Sequence, residues 1–397
     1  MNVLLLTDGI VPFQLGGMQK HSLLLAKFLA QKGCRIVLVH CGGVDYSPEN
    51  FKNLFTSDEL KNIEEICIKF PKTDPFPGHY VRENKAYSRD IFVELEGRLN
   101  EFDLIYGQGF TAWHFIKEKH KRKFTWPILV NFHGLEMFQT APSLRMMAEY
   151  ALLKNSVKWN LRNADCVYSF GGKIDLILAD LGIQPHKILH QSNGIDKDWL
   201  VAEIQPAEPI RKFVFIGRAE RRKGIEELTA ALTHLISGDD LFEFHFIGPV
   251  NEKFRLNDAR ITYHGEIRDQ EIIKSIVRGK DCLVCPSHSE GMPTVILEAM
   301  ASGLAIIGTN VGAIERQIQG NGMLLENPEV NGLVNALVQF IQLDEQALTA
   351  MKSNSLALVE SNFLWEKVIE QKLADFNTCL ARLASTSVLE TNKSEEN

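Results

Sequence analysis

Cys282-Leu-Val-Cys-Pro286, then Ser287-His-Ser-Glu290-Gly-Met-Pro-Thr294, then Val295-Ile-Leu-Glu298-Ala-Met-Ala-Ser-Gly303 reads as a buried strand, a loop and a helix. The apolar run is short and unbroken, as a strand covered on both faces requires, and Pro293 suits a helix start. This unit belongs to a parallel α/β sheet, and it recurs outward in both directions. Downstream lie a strand at Leu304 to Gly308 and a helix start near Ala313. Upstream, strands at Phe213 to Ile216, Phe244 to Ile247 and Ile261 to His264 alternate with helices from near Gly224 and Asp269.

The pattern falters from Gln191 to Arg211, which holds Asn193-Gly194, Pro206 and Pro209, and the linker is placed there. Before it runs a second series, with strands at Val3 to Leu6, Arg35 to His40, Ile66 to Phe70, Asp103 to Tyr106, Ile128 to Phe132 and Cys166 to Ser169. His21, Leu24, Leu25, Phe28 and Leu29 share one face of the first helix, and a long helix from Ser143 to Asn163 carries apolar residues spread widely enough to predict a core element. The fold class is α/β: two doubly wound, Rossmann-like domains, 1–195 and 212–363, facing across a cleft walled by strand carboxyl ends. The polar tail, Ser385 to Asn397, is expected to fray.

The 397 residues carry a net charge of −7, which excludes nucleic-acid binding through the whole surface. No apolar run reaches the roughly 18 residues that span a bilayer, and the opening Met1-Asn2-Val3-Leu4-Leu5-Leu6 is uncharged and closed by Thr7-Asp8, so a cytoplasmic chain without a signal peptide is expected. Seven cysteines, an odd number, point to reduced thiols, and Cys282 and Cys285 to a strand core rather than a metal site.

Four clusters carry chemistry. At Glu290 to Glu298 the backbone N–H groups of Gly291, Met292, Pro293's neighbours and Thr294 open a helix whose dipole favours an anion such as a diphosphate, and Glu298 lies one turn on, in reach of vicinal hydroxyls. At Gly217-Arg218-Ala-Glu-Arg221-Arg222-Lys223-Gly224 a strand ends in a basic loop, where Arg218 and Lys223 can neutralise a phosphate; Arg221 and Arg222 read as solvated. Gly16-Gly17 opens the first helix and permits close backbone approach. Asn131-Phe-His133-Gly134-Leu-Glu136 ends a strand with an imidazole.

Glu290 to Glu298 resembles the E-x7-E motif of retaining glycosyltransferases of the GT-B fold, glycosyltransferase family four. Gly217 to Gly224, Gly16-Gly17, Asn131 to Gly134 and Asn193-Gly-Ile-Asp196 stand in that family's order, and Asn362-Phe-Leu-Trp365-Glu-Lys resembles its C-terminal stretch. The resemblance implies a hexosyltransferase with a donor-binding second domain, an acceptor-side first domain and a last helix, about 364–384, crossing back to the first. It gives Arg218 and Lys223 to the donor diphosphate, Glu298 to the ribose, and Glu290 with Gly291, Met292, Pro293 and Thr294 to the donor sugar. His133 would face the anomeric carbon, with Gly16 and Gly17 beside the phosphate. It implies transfer with retention from a nucleotide sugar, UDP before GDP, to a saccharide or lipid-linked acceptor in cell-surface polysaccharide or glycolipid synthesis, with no cofactor and no obligatory metal.

Other readings stay open. Asp196-Lys-Asp198 has metal-site spacing but lies in the linker. Gly107-Gln-Gly109-Phe-Thr-Ala112 fits a dinucleotide fingerprint and keeps an NAD-dependent oxidoreductase in view. A nucleotide-sugar isomerase or epimerase of the same fold and a catalytically silent binding protein are the remaining alternatives. Lys117-Glu-Lys-His-Lys-Arg-Lys123 reads first as a solvated turn and second as peripheral contact with anionic lipid on the inner membrane face.

Overall fold

All strand pairs in the two sheets of the computed structural model are parallel, as unbroken apolar runs with intervening helices demand. The structure describes residues 1–43, 45–74, 76–122, 124–206, 208–218 and 220–395, without the side chains of 383–395. The first sheet contains β1 (Asn2–Leu6), β2 (Arg35–His40), β3 (Ile63–Cys67), β4 (Leu104–Gln108), β5 (Ile128–Asn131), β6 (Cys166–Ser169) and β7 (Ile188–His190), ordered β3-β2-β1-β4-β5-β6-β7. The second contains β8 (Arg211–Ile216), β9 (Phe242–Ile247), β10 (Ile261–Gly265), β11 (Cys282–Cys285), β12 (Ala305–Thr309) and β13 (Gly322–Leu325), ordered β10-β9-β8-β11-β12-β13.

The helices of eight or more residues are α1 (Gly17–Gln31), α2 (His79–Leu95), α3 (Trp113–Arg122), α4 (Leu144–Asn163), α5 (Lys173–Asp180), α6 (Ile225–Ile236), α7 (Gln270–Arg278), α8 (Thr294–Ala301), α9 (Val330–Ile341), α10 (Glu345–Leu358) and α11 (Trp365–Glu395). Alternate residues of β1 enter different cores: Leu4 and Leu6 pack with α2 and α3, while Val3 and Leu5 pack with α1. Both faces of the sheet are thereby dry. Cys282 and Cys285 are buried in β11, and all seven cysteines are free.

Four expectations need correction. The third strand is Ile63–Cys67, not Ile66 to Phe70: as an edge strand it keeps Glu64 and Glu65 half-buried at its centre. The helix expected at Ala313 is one 3-10 turn, Ile314–Arg316, and the next α-helix starts at Val330. The tail expected to fray is helical in its backbone to Glu395, as the end of α11; Glu396 and Asn397 lie outside the described residues. Finally, α4 is a core element only in part: Val157, Asn160 and Leu161 are buried and Tyr150 and Leu153 pack half-buried against the same core, but Leu144 is 81% exposed, Met147 55% and Leu152 49%.

The linker carries β7's exit to the second sheet, and α11 returns. Ile195 and Leu364 form a parallel bridge, with Ile195 N donating to the Phe363 carbonyl at 2.8 Å. Trp365 is buried against Phe28 and His21, and Ile369, Phe376 and Cys379 complete the core between β1 and α1. The Cys379 and Cys166 thiols, 213 residues apart in sequence, meet at 2.6 Å.

Candidate functional site

In each sheet the strand order reverses direction at one place, β1 against β4 in the first and β8 against β11 in the second. Loops leaving such a pair of strands diverge and open a crevice at their carboxyl ends. The two crevices face each other and form a cavity of about 520 Å³, lined from the first sheet by Asp8, Gly17, Gln108, His133 and Glu136 and from the second by Arg222, Lys223, Glu290 and the Gly291 to Val295 segment.

Its second-sheet wall is charged. Glu290 is buried, and its Oε1 accepts from Lys223 Nζ at 2.5 Å and from Ser287 Oγ at 2.8 Å, with Arg222 Nη1 3.8 Å from Oε2. Burial alone would raise this carboxyl, but the charges of Lys223 and Arg222 outweigh it and hold Glu290 below the ordinary range. Thr294 and Val295 open α8, so their N–H groups have no helical acceptor and lie at the cavity wall. This end is a ready anion site beside two cations.

The first-sheet wall is polar and dry. His133 adopts φ 56° and Leu135 φ 49°, a left-handed conformation that costs non-glycine residues on the order of 1–2 kcal/mol each. The turn is held by Asn131, whose Oδ1 accepts from His133 N at 2.9 Å. His133 Nε2 lies 2.8 Å from Gln108 Oε1, which assigns Nε2 as the donor and leaves Nδ1 an acceptor. Burial, then the charge of Lys372, lowers its pKa to about 3, so the ring is neutral. Gln108 Nε2, also buried, has no hydrogen-bond partner. Asp8, desolvated at the end of β1, titrates near 6 although Gln19 donates to it at 2.9 Å. Glu136 is likewise raised by burial.

The two walls touch. Gln139 Nε2 donates to the Glu290 carbonyl at 2.6 Å and Asn193 Nδ2 to the Met292 carbonyl at 2.6 Å. A Cβ on Gly291 would stand 3.0 Å from Gly134 Cα, so neither loop tolerates bulk there. Lys20 on α1 pairs with Glu298 Oε1 at 2.9 Å.

Of the residues expected from sequence, Gly17, His133, Lys223, Glu290, Gly291, Met292, Pro293 and Thr294 line the cavity. Gly16 caps α1 just outside it, and Glu298 sits one turn deeper with Lys20. Arg218 is not brought in: its side chain is 73% exposed and pairs with Glu220 at 3.0 Å. Arg222, expected to be solvated, takes the cavity position instead, because Arg221 to Lys223 form a 3-10 turn that aims Arg222 and Lys223 inward. Arg221 is not solvated either, bridging Glu227 at 2.6 Å and His288 Nε2 at 2.8 Å. Sequence reasoning did not single out Asp8, Gln108 or Tyr80, and quoted Glu136 in the Asn131 cluster without giving it a role. Each stands at a strand end or helix start, a position that could have flagged it.

The decoys resolve into packing. Asp198 pairs with Lys274 at 2.6 Å, and among the described residues no cluster of His, Cys, Asp and Glu could hold a metal ion. Gly107 lies inside β4, where a Cβ would stand 2.5 Å from that of Ala112; the glycine serves strand–helix packing. In the basic run, Lys119 bonds Asp165 at 2.5 Å and Arg122 bonds Glu118 at 2.8 Å, while Lys117 and Lys121 are exposed and Lys123 lies outside the described residues.

Comparison with known proteins agrees with this architecture. The family model described as Glycosyltransferase Family 4 matches residues 15–199, and the model described as Glycosyl transferases group 1 matches residues 210–343. The lipopolysaccharide core biosynthesis mannosyltransferase LpsB of Rhizobium meliloti is 31% identical over 56% of this chain and 69% of its own length. The Escherichia coli UDP-Gal:alpha-D-GlcNAc-diphosphoundecaprenol alpha-1,3-galactosyltransferase is 24% identical over 48% of this chain; about half of that relative, 54%, is spanned. Anabaena HepE, solved with UDP-glucose, superposes with a TM-score of 0.64 at 18% identity, covering 98% of this chain and 99% of that one. With two parallel sheets facing across a cleft and both family models matched in order, the chain belongs to glycosyltransferase family 4, the group 1 glycosyl transferases, and has the GT-B fold.

Proposed function

We propose that this chain transfers a hexosyl group, with retention, from a nucleoside diphosphate sugar to a hydroxyl acceptor. The observation that carries this is the pairing, in one cavity, of an anion site with a polyol site. Lys223, Arg222 and the α8 terminus suit a diphosphate, while Glu290, neutral His133 and the unpartnered Gln108 Nε2 suit sugar hydroxyls. Arg218 reaches the diphosphate only if its loop moves, so Arg222 takes its place in the present geometry. Glu298, freed from Lys20, is placed for the ribose.

In the reaction the bond from the anomeric carbon to the diphosphate oxygen breaks, and a bond to the acceptor oxygen forms on the same face. The acceptor proton passes to the departing diphosphate. Lys223 and Arg222 stabilise the charge that grows there, worth several kcal/mol if each acts as one well-placed donor, and this supports a reaction without an obligatory metal. Neutral His133 offers Nδ1 to a donor-sugar hydroxyl and adds no positive charge beside the anomeric carbon.

UDP is favoured over GDP because HepE was solved with UDP-glucose and the galactosyltransferase relative is named for a UDP-sugar. The names of both curated relatives support an acceptor in polysaccharide or glycolipid synthesis, saccharide or lipid-linked. Residues 1–195 would form the acceptor side and 212–363 the donor side, with 191–211 absorbing closure. No helix among the described residues is long and apolar enough to cross a membrane, and a cytoplasmic chain in peripheral contact with the inner membrane face fits this reading.

The test is thermal unfolding against UDP, GDP, ADP, their sugar conjugates and NAD. A rise in melting temperature with UDP or UDP-sugars, lost in Glu298→Ala, is expected, followed by transfer assays in which the product anomer is read by NMR. A shift with NAD alone, or an inverted product, would overturn the reading.

A further inference from the structure

The exposed half of α4 does not stand alone. Leu144, Ala148 and Leu152 recur at four-residue spacing and so form one stripe. Opposite them the chain turns into α2 through Pro77, Tyr80 and Val81. Between the two runs an open trough of about 620 Å³, whose apolar walls include Ala148, Leu152, Leu153 and Tyr80. Phe76, the residue before Pro77, is 70% exposed. A soluble protein leaves single apolar side chains in water without consequence, but a contiguous concave set marks a binding surface.

Two observations select the occupant. The trough adjoins the cavity described above, since Tyr80 and Leu153 line both. Its charged border, Arg145 and Glu149, is satisfied internally at 3.0 Å, and the Arg82 guanidinium at the α2 end donates to the Pro77 carbonyl at 3.1 Å. A polypeptide lying there would need partners for its own N–H and C=O groups, whereas a hydrocarbon chain needs none.

We infer that the trough between the start of α2 and the first half of α4 receives the hydrocarbon chain of an amphiphilic acceptor, whose hydroxyl end enters the adjoining cavity. This rests on reading that cavity as the transfer site, and it adds where the acceptor's apolar part lies. Chain length then sets acceptor affinity through burial in the trough, while the donor contacts across the cleft stay unchanged.

The test uses the full chain and a monomeric reporter, 11-(dansylamino)undecanoic acid, displaced by hexyl, octyl and decyl glucoside below their micellar concentrations. Competitor affinity should rise about threefold to fourfold per added CH₂ until the trough is full. Ala148→Arg and Leu152→Asp, both on the exposed stripe, should abolish that dependence and keep the nucleotide-induced thermal shift. Displacement independent of chain length, or unchanged in both variants, would overturn the proposal. So would a wild type that binds lipid vesicles but no monomeric amphiphile, which makes α4 a membrane-surface contact, or one that self-associates in sedimentation until either substitution is made, which makes it an interface between copies. A chain-length series that holds in a protein showing no nucleotide shift would instead overturn the transfer reading of the cavity.

Discussion

Glu290 owes its ionised state to two neighbours from another loop, and that dependence makes the site sensitive to single side chains. Lys223→Ala should lower transfer by two to three orders of magnitude in single-turnover assays. It should also lower the melting temperature, because Glu290 is then buried with only Arg222 and Ser287 to compensate it. Glu290→Gln should match the loss of rate at a smaller cost in stability. Asp8 gives a pH signature. Its pKa rises from 3.8 unfolded to about 6 folded, so the stability it contributes is complete below pH 4 and lost as pH rises through 6. Denaturant unfolding of Asp8→Asn should therefore diverge from wild type between pH 4 and 6, the variant growing relatively more stable, and run parallel above. Glu290 and Lys223 were legible in the sequence because a motif fixes them at a strand end. The choice of Arg222 over Arg218 was not, because it turns on the phase of one 3-10 turn.

At the scale of elements, what the sequence hid lies at edges and open faces. Central strands such as β1, β2, β6 and β11 announce themselves as apolar runs, since helices cover both of their faces. The edge strands β3, β7 and β13 are half-covered: β3 has Glu64 and Glu65 at its centre, β7 has only three residues and β13 opens on Gly322, so β3 was displaced and β7 and β13 were missed. Helix α4 misled in the opposite sense, because its apolar residues match a core pattern while half of them face water. The junction of linker and α11 makes its own prediction. A Cβ on Gly194 would stand 2.5 Å from Trp365 Cδ2, so Gly194→Ala must push the indole off its seat against Phe28. A cost of about 1–3 kcal/mol is expected from overpacking, visible as a lower melting temperature and increased amide exchange in α11.

Across the whole molecule, one of the contacts that clasp the halves competes with the proposed ligand. Lys20 occupies the Glu298 carboxylate at 2.9 Å. Lys20→Met should tighten UDP binding a few-fold in calorimetry, as befits a partly exposed ion pair. Weaker binding would mean that Lys20 itself holds the nucleotide. The fold and its cleft were legible from the alternation of strands and helices alone. The closed contact of Gly134 with Gly291 was not, because no local pattern encodes an approach between loops 157 positions apart.

The return of α11 also sets an order on the protein's own manufacture. The core between β1 and α1 is closed by Ile369, Phe376 and Cys379, which leave the ribosome only after the whole second sheet. At roughly 5–20 residues per second, the finished first sheet waits on the order of 10–35 s, with the part of one apolar face beside α1 uncovered, for the segment that caps it. A chain cut short anywhere in the second half would keep that face open, and its fate would rest with chaperones rather than with its own fold.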